Sequence, residues 1–174
     1  VVSHFNERTS SNIYMNVCRS WASALGIPGL SSKLCSSLNC ESAKFHSILE
    51  LNCKTHKDPV TFRNLHASTM WKYGALSRFV SNVLQQELNK HPHIIRDSRD
   101  LVKKLSSVKC SPTTKFCKLD VDHFFMSGKA PELTNLCVKG LPHDHYMRDP
   151  LEQSIFFLLD NQFVLDEASG SLVK

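Results

Sequence analysis

Two carboxylates and three cations are the residues of this chain whose types and spacing can do chemistry. Asp120 and Asp122 lie two positions apart in Lys118-Leu119-Asp120-Val121-Asp122-His123-Phe124-Phe125. Alternation over residues 116–122 predicts a strand with Cys117, Leu119 and Val121 on one face and Lys118, Asp120 and Asp122 on the other. Carboxylates placed side by side repel, and a divalent cation such as Mg²⁺ relieves the repulsion. A carboxylate fixed at the end of a buried strand and open on the side of the following turn can hold such a metal for phosphoryl transfer on nucleotides. The same pattern also suits two solvated carboxylates, or carboxylates that cap the next turn.

The cations are Lys54, Lys57 and Arg63, in Cys53-Lys54-Thr55-His56-Lys57-Asp58-Pro59-Val60-Thr61-Phe62-Arg63. Asp58-Pro59 marks the tip of a hairpin, so the cations stand on its two arms. They can converge on a triphosphate or a nucleic-acid backbone through charge-assisted hydrogen bonds, or simply stand solvated on a two-stranded ribbon. Trp71 and Tyr73 can stack on bases or pack beneath the hairpin. His143-Asp144-His145 reads as a loop cluster that binds metal or decorates the surface. Cys35, Cys40 and His46 lack the second closely spaced ligand pair that a zinc site needs.

These residues need elements to position them. Phe45 to Cys53 alternates Leu49, Leu51 and Cys53 against polar neighbours and predicts the first arm of the hairpin; Val60 to Leu65 predicts the second. Ser68 or Thr69 is expected to cap a long helix with Leu76, Phe79, Val80, Val83, Leu84 and Leu88 on one stripe. Asp97 or Ser98 is expected to cap a short helix through Leu101, Val102 and Leu105. A last helix is expected from about Pro150 through Leu151, Ile155, Phe156, Leu158, Leu159 and Phe163. Its run Phe156-Phe157-Leu158-Leu159 would pack against a partner or a further segment of chain. Residues 1–44 read as an N-terminal extension, with helical turns around Asn12 to Leu25 and a loop at Gly26-Ile27-Pro28-Gly29. Residues 45–174 read as the domain proper.

The 174 residues, 41% hydrophobic, are enough for one core. Twenty-one Lys and Arg against 16 Asp and Glu, a formal charge of +5, favour a polyanionic partner. No apolar run is long enough to span a bilayer. The chain begins at Val1 without Met or a secretory pattern, which reads as a fragment. Seven Cys at positions 18, 35, 40, 53, 110, 117 and 137 include no C-x-x-C pair and suggest a reduced, intracellular protein.

Hairpin, long helix, short helix and an Asp-bearing strand succeed one another here in the order of the fingers and first palm segment of a right-hand polymerase. The chain resembles a reverse transcriptase, and most of all the Penelope-like retroelement enzymes, relatives of the telomerase catalytic subunit. The words that carry the likeness are Cys53-Lys54-Thr55-His56-Lys57, Thr61-Phe62-Arg63-Asn64-Leu65-His66-Ala67-Ser68, Ile95-Arg96-Asp97-Ser98, Lys118 to Phe125, and Phe157-Leu158-Leu159-Asp160-Asn161-Gln162-Phe163. They span roughly residues 45 to 165.

The resemblance implies an α+β, helix-rich, partial right-hand polymerase: fingers hairpin, helices and the start of the palm sheet. It implies an RNA template, a DNA primer, deoxynucleoside triphosphates and Mg²⁺, with action in the nucleus. Asp120 matches the carboxylate that binds the catalytic metals, and the Val121 carbonyl would complete one metal shell. Phe125 matches the ring that excludes ribonucleotides. Arg63 matches the fingers arginine beside the triphosphate, while Lys54 and Lys57 share phosphate or template contacts. These polymerases also need a Gly-rich segment and an aromatic-x-Asp-Asp hairpin, and neither occurs in these residues. The chain stops about where the Gly-rich segment would begin, so the polypeptide alone is expected not to polymerise. The alternative is a non-catalytic remnant that holds nucleic acid. In either case the exposed apolar surface predicts self-association.

Overall fold

Asn6 starts the first helix, α1 (Glu7–Leu25), by accepting a hydrogen bond from the Thr9 N–H on its side-chain oxygen at 3.0 Å. In this computed structural model, which describes residues 5–55, 58–121, 128–166 and 171–173, α1 ends at Gly26. That residue has φ 61°, a left-handed conformation in which a β-carbon would be strained. Tyr14, Val17, Cys18 and Trp21 form the buried stripe of α1, at the spacing of one helical face. A short helix, α2 (Leu30–Cys35), comes next, and the Tyr14 hydroxyl donates to the Leu34 carbonyl at 2.6 Å.

The expected hairpin forms, from β1 (His46–Lys54) and β2 (Thr61–Ala67), antiparallel from Ile48 opposite Ala67 to Lys54 opposite Thr61. It leads into α3 (Gly74–Leu88), which starts later than Ser68 or Thr69. The reason is that β2 continues to Ala67 and the backbone then bridges to Lys44, whose N–H donates to the Met70 carbonyl at 2.7 Å. Of the predicted stripe, Leu76 and Val80 are buried, while Leu88 is exposed. Downstream lie α4 (Ser98–Ser106), α5 (Ala130–Val138), α6 (Arg148–Asp160), β3 (Phe163–Asp166) and β4 (Ser171–Val173).

The fold is α+β, with six α-helices and a mixed four-stranded sheet among the described residues, in the order β2-β1-β3-β4. β3 runs parallel to β1 along His46 to Ile48, and β4 antiparallel to β3. Contacts divide the chain into two units. One joins Val1–Val80 to Lys129–Lys174; the other is Ser81–Gly128.

In the first unit α1 is core rather than an appendage, so the contacts do not part residues 1–44 from the hairpin and its neighbours. The Trp21 indole N–H donates to Ser154 Oγ on α6 at 2.7 Å, and Ser154 donates in turn to the Pro150 carbonyl at 2.6 Å. Tyr73 is fully buried, its ring 5.0 Å from Tyr14 and 4.8 Å from Phe157. Burial and the hydrogen bond with Ser10 turn Tyr73 into structure, which leaves it no base to stack on. The run at the end of α6 is likewise used internally: Ile155, Phe157 and Leu158 are buried and only Phe156 of the four predicted aromatic and aliphatic neighbours is exposed. α5 and α6 are tied together by Arg148, whose guanidinium donates to the carbonyls of Val138 and Leu141 at 2.9 and 2.5 Å.

In the second unit, Asp97 caps α4 by accepting from the Asp100 N–H at 2.8 Å, as its sequence predicts. The helix buries no side chain. Within its described part, residues 116–121, the strand expected over residues 116–122 is not formed: residues 114–121 have no regular structure, and Leu119 is 90% exposed. A strand needs a neighbour to take its N–H and C=O groups, and none pairs with these residues among those described. Asp122 and Phe125 lie outside the described residues.

Candidate functional site

The register of β1 and β2 sorts the hairpin's side chains into two faces, because directly paired residues share a face and faces alternate along each strand. Asn52 opposite Arg63 and Lys54 opposite Thr61 put Lys54, Arg63 and Glu50 on one face. Arg63 is then the diagonal neighbour of both Lys54 and Glu50, at a spacing of roughly 7–8 Å. Leu49 opposite His66 and Cys53 opposite Phe62 define the other face, which carries Ser47, Leu49, Leu51, Phe62 and His66.

β3 pairs with β1 only as far as Ile48, so among the described residues no third strand flanks the outer part of the hairpin on the β1 side. Both faces are open there: Arg63 is exposed, Leu51 is 66% exposed and Phe62 is 63% exposed. Neither Lys54 nor Arg63 is in an ion pair among the described residues, where the pairs are Lys90 with Glu87 and Lys104 with Asp100. Lys57, at the tip, lies outside the described residues. The other cation nearby, Lys72, is committed to packing: its ammonium donates to the Leu38 carbonyl at 2.8 Å and lies 5.1 Å from the centre of the Phe45 ring.

Asp120 belongs to the second unit. It is exposed, and its Oδ1 accepts from the N–H of Val121 at 3.0 Å. No group of three metal-binding side chains occurs among the described residues. A single carboxylate with one oxygen already turned to its own backbone, plus the Val121 carbonyl, does not make the fixed octahedral set that Mg²⁺ requires. These residues therefore do not by themselves fit the ion. Neither His143-Asp144-His145 nor Cys35, Cys40 and His46 forms such a group. His145 Nδ1 accepts from the Met147 N–H at 3.3 Å and its ring stacks on Tyr146.

Sequence reasoning missed a cavity of about 230 Å³ at the root of the hairpin, lined by Ser47, His66, Ser68, Trp71, Ser77, Gln162 and Phe163. Its wall comes from β1, β2, α3 and the entry to β3, and no local pattern announces such a meeting. The nearest signal is Trp71, whose indole N–H donates to the Phe45 carbonyl at 3.2 Å.

No helix among the described residues is long and apolar enough to cross a membrane. Comparison of the chain with protein families, with characterised proteins and with solved structures finds no match. The functional reading therefore rests on the residues themselves.

Proposed function

We propose that this chain carries the fingers and first palm segment of an RNA-directed DNA polymerase, and that the β1–β2 hairpin holds a phosphate-bearing strand or nucleotide on its cationic face. The observation that carries the reading is the placement of Lys54 and Arg63 as diagonal neighbours on one open face, with no ion pair among the described residues. Two cations held that close favour an anion between them. The order of the sequence motifs adds the polymerase identity, with RNA template, DNA primer and deoxynucleoside triphosphates as partners and nuclear action as its setting.

The test is binding of single-stranded RNA and DNA oligonucleotides by the full chain across a salt series. Binding should weaken as salt rises, and Lys54→Ala with Arg63→Ala should each lower the slope of log affinity against log salt by about one. Affinity indifferent to both substitutions overturns the reading.

A second reading, a nucleic-acid-binding remnant without chemistry, is favoured by the irregular, exposed segment that carries Asp120. The two part at Asp120→Asn. In a polymerase that unites these residues with an aromatic-x-Asp-Asp segment and Mg²⁺, that change abolishes incorporation, and Phe125→Ala admits ribonucleotides. In a remnant, Asp120→Asn leaves oligonucleotide binding as it was and there is no incorporation to lose.

A further inference from the structure

The cavity at the hairpin's root lies on the face that the cations do not occupy. Ser47 and His66 share that face through the pairing of Leu49 with His66, and Ser68, two residues beyond His66, continues it. Ser77 on the first turns of α3 and Gln162 before β3 close the cavity from the sides.

The lining chemistry is unusual for a chain this rich in charge. Among the described residues no Lys, Arg, Asp or Glu contributes to the wall, so a phosphate or a metal ion finds no counter-charge from them. The Ser47 hydroxyl already donates to the Phe163 carbonyl at 3.3 Å and is left to accept, the Ser68 and Ser77 hydroxyls and the Gln162 carboxamide can donate or accept, and the imidazole of His66 does one at each nitrogen when neutral. Beside Phe163, the aromatic part is supplied by Trp71. Its only polar atom is taken by the Phe45 carbonyl, and its ring meets Tyr73 edge-on at 5.4 Å, so the indole is held in place and offers the cavity carbon surface. At about 230 Å³ the space is below the range of roughly 300–1,000 Å³ that suits a drug-sized ligand. It suits one ring system.

A neutral, flat ring with donors and acceptors along its edge answers all of these features. We infer that the cavity binds a single unpaired nucleobase, taken up as a nucleoside whose phosphates, where it has any, stay outside. The choice of a base over other neutral heterocycles rests on the nucleic-acid reading of the hairpin. Phe62 stands on the same face four residues from His66, about 13 Å along the strand, and offers a second stacking surface.

The chain has two tryptophans, of which Trp21 is fully buried, so Trp71 is the one placed to report a ligand. The full chain is titrated with adenosine, guanosine, cytidine and uridine, with ribose and inorganic phosphate as controls, by equilibrium dialysis and tryptophan emission. At least one nucleoside is expected to bind saturably and quench emission, with ribose and phosphate inert. Ser77→Leu, which fills the cavity, and Gln162→Ala, which removes an edge partner, should each weaken binding about tenfold, the scale of one lost base contact. Circular dichroism of both variants verifies that the fold is kept. Binding of ribose as tightly as the nucleosides, or no saturable nucleoside binding, or full binding by both variants, overturns the inference. Lys54→Ala with Arg63→Ala should leave nucleoside binding unchanged while weakening oligonucleotide binding, so failure of the cavity and failure of the cationic face show up in different measurements.

Discussion

Thiols of one residue type meet different surroundings in this chain, and their chemistry is set by those surroundings. Cys40 is exposed, and hydrogen bonds from the Ser42 hydroxyl and from the Ala43 and Ser42 amides hold its thiol below the usual range, with Lys72 assisting. Burial pushes Cys137 up, and burial together with the neighbouring Cys35 pushes Cys18 up much further. The thiolate is the reactive form. As pH is raised from acid, Cys40 should therefore alkylate before Cys137, and Cys18 only after unfolding, in a peptide-resolved labelling series; Cys18 labelling at the pace of Cys40 would contradict the packing of α1. The Trp21–Ser154–Pro150 chain of hydrogen bonds supports a second prediction at this scale. Ser154→Ala leaves a fully buried indole N–H without its acceptor and should destabilise the protein by about 1–3 kcal/mol in denaturant unfolding. Neither partner was visible in the sequence, since a Ser in an apolar helix gives no sign of what it will meet across the core. The cations were legible as candidates, because charge at alternating strand positions survives any error in the ends of the strands.

Elements whose stability is local were the ones the sequence announced. The hairpin formed because its alternation and its Asp58-Pro59 tip are local signals, and α4 formed behind Asp97 because capping needs only the next few residues. β3 and β4 were hidden, since four and three residues carry too little pattern and depend on a neighbour far away in sequence. The expected strand at residues 116–122 is not formed over its described part, 116–121, for the converse reason: a period of two was present, and among the described residues a pairing edge was not. α4 shows what such local definition is worth. It buries no side chain, so its cap and the Asp100–Lys104 pair carry much of its definition. Asp97→Ala should cost the helix about 1 kcal/mol, and the loss should appear as faster amide exchange over residues 98–106 with little change in the global melt. Lys104 and the Arg96 amide hold the Asp100 carboxyl below its usual value. A carboxylate depressed in the folded state contributes above its unfolded pKa and ceases to contribute as pH falls through its folded pKa. Protection of the α4 amides, measured relative to the intrinsic exchange rate at each pH, should accordingly fall below the ordinary carboxylate range, and a pH-independent protection would show that the pair contributes nothing.

On the scale of the molecule, a chain of 174 residues packs Tyr14, Trp21, Tyr73, Phe157 and Phe163 into one core and leaves a two-stranded ribbon projecting from it. An isolated ribbon is marginal in water, and this one exposes Leu51 and Phe62 on the face away from its cations. Among the described residues β2 is also the last strand of its sheet, and no strand pairs with its outer edge. Apolar surface beside an open edge is the combination that draws a second strand, whether from another molecule or from the same chain type. The chain should therefore self-associate with rising concentration in sedimentation velocity. Because the drive is apolar burial, added salt should not dissolve the association; a charge-driven one would weaken as salt screens it. Leu51→Lys with Phe62→Lys should return the protein to monomer, since lysines on exposed strands oppose edge pairing. A monomer at every concentration would mean that the ribbon is covered by its own chain, and oligomers that persist in the double variant would move the contact off the hairpin.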